Sequence, residues 1–417
     1  MAYYAFTVPG VEGLLAREIA DGGGRVSERR SGVVFFEWQG DQAALLHLGL
    51  AEDVFALVAR QEVSFEKDGL RQIEALVQGA PSWERALDAL YRTRPRRGQR
   101  MRFRVVVQRR SGGQRYVRKV VEQRVYQAIA QRFPTWRAVR EEAALEVWIL
   151  EERGEVLCGV RLSDRTMRHR TYKKSNISAS LRPVVARALV MMTKPRPEDV
   201  FLDPMCGAGT LLIERGECGR YRQLLGGDIR PDALAAARSN IGPRYKPIEL
   251  RTWDACDLPL DAGSVSSLAC NLPFGKKVGD RSEMANLYAR FVPEARRVLV
   301  PGAAAVLLTS ERTLLERAVR DGDHFYCERM LSLKVLGPLA SPPSLRKAWL
   351  PAHVALGCLA LFGGLAAIAL GILSFDYKHG LDPPAYATPA VTEFKFAGMM
   401  CCLLGGALAM VFAAPKA

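Results

Sequence analysis

Val200-Phe-Leu-Asp203-Pro204-Met-Cys206-Gly207-Ala-Gly209-Thr210-Leu-Leu-Ile-Glu214 holds the strongest structural signal in the chain. An apolar lead-in, a turn holding two glycines and an apolar-periodic run read as strand, tight turn and helix. That is the unit by which an α/β sheet receives a nucleotide-like ligand at the carboxyl ends of its strands. Gly207 and Gly209 let the backbone approach such a ligand with no Cβ in the way. A short Gly-x-Gly is weak evidence alone. What strengthens it is a series of polar residues at successive strand ends: Asp228, Asp254, and Asn271 in Asn271-Leu-Pro-Phe-Gly275.

Working outward, strand and helix patterns alternate from Asp199 onward, which argues a parallel, doubly wound sheet. Strands are expected over 200–203, 223–229, 247–254, 268–272 and 303–310, with a further one over 324–335. Helices are expected to open at Thr210, Pro231, Glu283 and Glu311, proline being favoured at a first helical position. Leu181 to Met192 reads as an amphipathic helix packing at the sheet edge, after a basic linker. Upstream, residues 1–62 read as a small α+β unit. Val11, Leu14, Leu15 and Ile19 share a helical face, Ser31 to Trp38 is a strand, Asp41 caps a helical run and Asp53 to Ala59 is strand-like. Residues 63–165 are also mixed α+β: a helix near Pro81 to Leu90, a strand over 101–107, a helix over 116–130 and a hairpin of 145–150 with 156–162.

At 417 residues the chain has material for two or three domains. A net charge of +15 points to a polyanionic partner. The excess is concentrated: Tyr91 to Val121 holds twelve Arg or Lys and no acidic residue, and Arg161 to Arg187 holds eight basic residues against Asp164. Such runs are commonly a solvated face; here they neighbour Phe103, Tyr116 and Tyr172, which suits a surface that tracks phosphates. Candidate contacts are Arg102, Arg104, Arg109, Arg110, Arg118, Lys119, Arg168, Arg170 and Lys173. The nine cysteines form no Cys-x-x-Cys pair and only five histidines are present, so no metal site is expected. With no charged-then-apolar leader, the reading is of a protein of the reducing cytoplasm.

A sulfonium cofactor such as S-adenosylmethionine needs a glycine turn under its amino-acid part, a carboxylate for the ribose hydroxyls and a polar clamp on adenine. Asp228 suits the ribose, Asp254 the adenine amino group, and Asp203 the cationic end. Pro204, Cys206, Gly207, Gly209, Thr210, Ile229 and Ala255 complete the expected contacts. A dinucleotide site is the rival, weakened because Leu212 stands where the third glycine of Gly-x-Gly-x-x-Gly belongs. A phosphate loop lacks its Gly-Lys-Ser/Thr. Cys206, Cys256 and Cys270 lie near the motifs; with no paired cysteine they read as small packing residues.

Phe103-Arg-Val-Val-Val, Arg109-Arg-Ser-Gly, Arg118, Leu145-Glu-Val-Trp-Ile and Gly159-Val-Arg-Leu-Ser-Asp-Arg-Thr-Met-Arg-His-Arg-Thr-Tyr-Lys173 together resemble the THUMP RNA-binding module and its exit into a catalytic domain. Asn271-Leu-Pro-Phe274 resembles the Asn-Pro-Pro-Tyr signature of methyltransferases that modify exocyclic amino nitrogens. Over residues 1 to about 336 the chain is similar to THUMP-containing S-adenosylmethionine-dependent guanine-N2 methyltransferases acting on tRNA. The resemblance implies a Rossmann-like class I methyltransferase domain over 199–336. It is preceded by a ferredoxin-like domain (1–62), a THUMP domain (63–165) and a linker with helix (166–198). It also implies a grip on tRNA that brings an acceptor-stem base to the catalytic domain.

An exocyclic amino nitrogen is a poor nucleophile because its lone pair is delocalised into the ring. Two acceptors aimed at its N–H bonds, the Asn271 side-chain oxygen and the Leu272 carbonyl, would favour pyramidal geometry and the positive charge of transfer. Pro273 stiffens the turn and brings no competing donor. Phe274 would stack the base, a contact worth roughly 1–3 kcal/mol, once it leaves the duplex stack. No strong base is required, and proximity is the main catalytic term. The competing roles are a turn-capping Asn271, a guanine-N2 or adenine-N6 reaction on ribosomal RNA, and a non-catalytic RNA-binding or membrane-tethered protein that keeps the fold.

Beyond Leu336 the resemblance stops, and Gly337 to Ser344 stands where a last strand should close the sheet. Two uncharged apolar runs follow, Leu350 to Leu373 and Phe396 to Ala414. The first is long enough to span a bilayer and the second marginally so, and Arg346, Lys347 and Lys416 would place both ends in the cytoplasm. Residues 345–417 are therefore expected to form a two-helix transmembrane hairpin anchoring the enzyme to the cytoplasmic face of a membrane, with Gly363-Gly364 and Gly405-Gly406 allowing close helix contact.

Overall fold

Among the described residues, the strands form two sheets, one of eight and one of seven. The computed structural model describes residues 1–94, 100–175, 177, 180–273, 281–321, 325–333 and 407–413, all within one unit. The first sheet holds β1 (Ala2–Phe6), β2 (Arg25–Arg30), β3 (Val33–Glu37), β4 (Asp53–Glu62), β5 (Arg102–Arg109), β6 (Arg137–Ala138), β7 (Leu145–Glu152) and β8 (Glu155–Arg161). Their order is β2-β3-β1-β4-β8-β7-β5-β6. α1 (Glu12–Asp21) follows β1, and a 3-10 turn over Gln42–His47 connects β3 to β4. The turn opens on Asp41, whose carboxylate accepts from the Ala43 N–H at 3.0 Å.

Residue 62 marks no break in this sheet. β4 pairs antiparallel with β8, from Phe55 with Arg161 to Glu62 with Glu155, so the N-terminal unit and the module after it share one sheet. In β5, Phe103, Val105 and Val107 are buried while Arg102 and Arg104 lie on the opposite face, the period-2 pattern of a strand covered on one side. α2 (Asp68–Gly79), α3 (Trp83–Thr93) and α4 (Arg118–Arg132) bury Ile73, Val77, Trp83, Val121 and Val125 in the main core. The Trp83 indole N–H, fully buried, donates to the Val77 carbonyl at 2.7 Å.

α5 (Arg165–His169), capped by Asp164, leads to α6 (Pro183–Met192), which buries eight of its ten residues. The helix expected to be amphipathic is thus buried on nearly every side. The second sheet follows: β9 (Val200–Asp203), α7 (Thr210–Glu217), β10 (Gln223–Asp228), α8 (Pro231–Ile241), β11 (Ile248–Thr252), β12 (Val265–Asn271), α9 (Arg281–Val298), β13 (Leu299–Thr309), α10 (Arg312–Asp321), β14 (Tyr326–Leu333) and β15 (Ala407–Ala413). Strand order is β11-β10-β9-β12-β13-β15-β14, with β9 to β13 parallel, the Rossmann-like class I methyltransferase arrangement. Order reverses between β9 and β12, which opens a crevice at their carboxyl ends.

β15 corrects the expectation of a membrane hairpin over 345–417. Ala407–Ala413 pairs antiparallel with β13 on one side and β14 on the other, and so supplies the last strand of the sheet, which is not contiguous with β14 in sequence. Ala407–Ala413 of the second apolar run is therefore sheet and not part of a membrane helix; the rest of that run lies outside the described residues. The first run, Leu350 to Leu373, lies outside the described residues. Among the described residues no helix is long and apolar enough to cross a membrane.

Candidate active site

Asp203, Asp228 and Asn271 end three neighbouring strands, β9, β10 and β12, at the lip of the crevice. The turn after β9 is held in shape from several sides. Gly207 and Gly209 have φ of 52° and 77°, and Gly209 is the left-handed N-cap of α7. A Cβ on Gly209 would add contacts at 3.2 Å to Ala237 and Ile241 in a conformation that L side chains rarely adopt. The Cys206 N–H donates to the Gly227 carbonyl at 2.8 Å, and the Gly207 N–H to Asp228 Oδ2 at 3.0 Å. Trp253 straps the turn from beyond β11: its indole N–H donates to the Pro204 carbonyl at 3.0 Å. The ring lies so close over Gly227 that a Cβ there would sit 2.1 Å from it.

The three acidic residues are in different states. Asp203 is buried, and its Oδ1 has no hydrogen-bond partner among the described residues. Burial, reinforced by the charge of Asp228, pushes its carboxyl well above the usual carboxylate range. Asp228 is half-buried; Oδ2 accepts from Gly207 and Oδ1 from the Arg230 N–H at 3.0 Å. Each of its oxygens keeps lone-pair capacity. Ile229 beside it is 68% exposed, an apolar surface at the mouth of the crevice. Asp254 accepts from the Cys256 N–H at 2.9 Å and faces Arg290 at 3.2 Å; these hold its carboxyl below its ordinary value. Ala255, Cys206 and Thr210 are buried. Burial pushes the Cys206 and Cys270 thiols up, away from the thiolate.

Asn271 is paired with Leu308 in the β12–β13 ladder, and the Leu272 N–H donates to the Leu308 carbonyl at 3.0 Å. Asn271 Oδ1 is buried with no hydrogen-bond partner among the described residues. Pro273 follows it; Phe274 lies outside the described residues.

Asn240 of α8 carried no sequence signal. Its buried amide accepts from the Lys174 and Ser175 N–H groups at 2.9 and 2.8 Å and donates to the Ser175 and Ala208 carbonyls at 2.9 and 3.0 Å. It fastens the linker to the glycine turn, and Ile177 of the linker lies against Gly207. Only tertiary packing brings these segments together.

A family model described as RMKL-like, methyltransferase domain matches residues 170–330. The tRNA (guanine(6)-N2)-methyltransferase of Thermus thermophilus is 30% identical over 325 residues, which cover 76% of this chain and 92% of that one. The chain belongs to the THUMP-containing tRNA guanine-N2 methyltransferase family. The bovine tRNA (guanine(6)-N(2))-methyltransferase THUMP3 is 30% identical over 205 residues, 46% of this chain; the match spans only 40% of that longer protein. Among solved structures, TrmN from Thermus thermophilus superposes with a TM-score of 0.67 at 27% identity, covering 80% of this chain and 95% of that one.

In this member of the family, most of the basic residues expected to face nucleic acid have partners inside the protein. Arg104 meets Glu146 at 2.5 Å, Arg109 meets buried Glu151 at 2.9 Å, and Arg168 meets buried Asp53 at 2.5 Å. Arg110 lies 4.6 Å over the Phe6 ring and donates to the Ser31 carbonyl at 3.1 Å. Arg170 donates to the Gly49 carbonyl at 2.7 Å, and Lys173 to the Leu181 carbonyl at 2.7 Å. Arg102 pairs loosely with exposed Glu142 at 3.4 Å. Arg118 and Lys119 differ: both are exposed, in the first turn of α4, next to Val117 at 64% exposure.

Proposed function

We propose that the chain transfers a methyl group from S-adenosylmethionine to the exocyclic N2 of a guanosine in tRNA, in the acceptor stem. The observation that carries this is the buried Oδ1 of Asn271 at the end of β12, without a partner among the described residues, one strand from the buried Asp203, whose Oδ1 also has none among them. Leaving a buried acceptor without a donor costs about 1–3 kcal/mol, a penalty that a ligand bearing N–H groups removes. Two such acceptors beside one glycine turn match a ligand pair with an ammonium group on one member and an amino group on the other.

When bound, S-adenosylmethionine supplies an electrophilic methyl group on sulfur. Asp203 would hold the cofactor's ammonium group, Asp228 the ribose hydroxyls, Ile229 one face of the adenine, and Asp254 its amino edge in exchange for Arg290. Pro204, Cys206, Gly207, Gly209, Thr210 and Ala255 would form the walls. Asn271 Oδ1 and the Leu272 carbonyl would accept from the guanine amino group, holding its nitrogen in line with the methyl group and stabilising the charge that it acquires. Pro273 and Phe274 would shape and stack the base. Residues 63–165 would act as the THUMP module, with RNA contact through Arg118 and Lys119.

Replacing Asn271 by Ala should reduce methyl transfer to tRNA at least a hundredfold while cofactor affinity stays within a few fold, read by tritiated-methyl incorporation and calorimetry. Retention of the normal rate by Asn271→Ala would falsify the assignment. Nucleoside mass analysis of the product should place the label on N2-methylguanosine.

A further inference from the structure

The turn that carries Asn271 is braced from behind by a chain of hydrogen bonds outside the motif. Tyr288, in the middle of α9, is fully buried, and its phenol oxygen lies 2.9 Å from the Pro273 carbonyl and 2.9 Å from Thr309 Oγ1. Thr309 ends β13, is also fully buried, and accepts from the Glu311 N–H at 2.8 Å. The direction of the chain follows from chemistry. A carbonyl only accepts, so the single phenol hydrogen must go to Pro273. Thr309 must then donate to the phenol oxygen, and Glu311 to Thr309. Buried chains of this kind polarise one another and hold a single arrangement.

Proline has no N–H, so the backbone beyond Leu272 cannot be anchored at residue 273 through nitrogen. Its carbonyl is the only main-chain handle there. The Leu272 N–H is pinned to Leu308 and the Pro273 carbonyl to Tyr288. Between those two fixed points lies the Leu272 carbonyl, one of the two acceptors assigned to the guanine amino group. We infer that Tyr288, backed by Thr309, is a positioning residue for methyl transfer: it sets the direction of the Leu272 carbonyl without touching base or cofactor. The inference rests on the function proposed above.

Single-turnover methyl transfer, with cofactor and tRNA both saturating, tests it. Tyr288→Phe should slow the chemical step by roughly ten- to a hundredfold, as ångström-scale misplacement of reacting groups does, with the cofactor Kd and tRNA Kd within twofold. Thr309→Val should slow it in the same sense, Thr309→Ser should restore it, and the double variant should be no slower than the slower single one. Thermal unfolding checks each fold; should Tyr288→Phe fail to fold, the Thr309→Val and Thr309→Ser pair still decides. A folded Tyr288→Phe or Thr309→Val protein with the wild-type rate overturns the inference and leaves the function standing. Parallel loss of rate and cofactor affinity also overturns it, since that marks a merely structural role. A wild-type protein inert toward every tRNA offered overturns both.

Discussion

Asp203 and Asp228 end adjacent strands and carry the same carboxylate, yet their surroundings separate them. Asp228 is half-buried and stabilised by two backbone N–H groups, and is ready to accept hydroxyl hydrogens. Asp203 is buried, and burial raises its pKa in the free protein. An ammonium group placed beside it lowers that pKa again. Between the two values binding expels a proton, so cofactor affinity should rise with pH through that window and level off above the free-protein pKa. Calorimetry in buffers of different ionisation enthalpy should show net proton release, and Asp203→Asn should remove it. No release from the wild type would mean that Asp203 is already ionised and that its role differs. Asp228→Ala should weaken the cofactor at least tenfold and, by removing a charge that helps raise the Asp203 pKa, narrow the window of proton release without abolishing it. The type and place of both residues were legible from sequence; the raised pKa of Asp203 was not, because burial is a property of the assembled crevice.

At the scale of elements, β14 and β15 form a hairpin into which a long segment is inserted. Leu333 and Ala407 are paired directly across the ladder, so the two ends of the insertion lie side by side. Replacing 334–406 by Asn-Gly, a two-residue hairpin turn, should therefore leave the sheet folded and methyl transfer within a few fold of wild type. Ending the chain at residue 405 should instead leave β13 and β14 without their shared neighbour and abolish cooperative unfolding in calorimetry. If the shortened hairpin lost its activity while folded, the insertion would have a part in catalysis. The parallel strands were legible because each apolar run is bounded by turn residues and followed by a helical pattern. β15 was not. An uncharged run rich in Ala, Leu, Gly and Met looks alike as buried strand and as apolar helix, and its partners lie more than 70 residues upstream.

Across the whole molecule, a charge of +15 is divided between holding the fold and meeting a polyanion. Arg109 and Arg168 compensate buried carboxylates. Arg109→Ala should cost about 3 kcal/mol in stability, since it strands a buried charge, and should leave the salt dependence of RNA binding unchanged. Arg118→Ala combined with Lys119→Ala should do the reverse. Stability should hold, affinity should fall, and the slope of log affinity against log salt should shrink by about 1.5, from roughly 0.7–0.9 per phosphate contact. An unchanged slope would move the RNA surface elsewhere.

What the sequence determined by itself was the catalytic sheet and its signatures: strand, glycine turn and helix at 200–214, and polar residues spaced at strand ends. Those patterns are local, because period and turn chemistry act over a few residues. The tertiary structure decided which arginines remain exposed, that two modules share one sheet, that Asn240 ties the linker to the glycine turn, and that Ala407–Ala413 within an apolar run is a strand. Each of these depends on which distant segment supplies a partner for a charge or a backbone hydrogen bond, and no short window of residues carries that information.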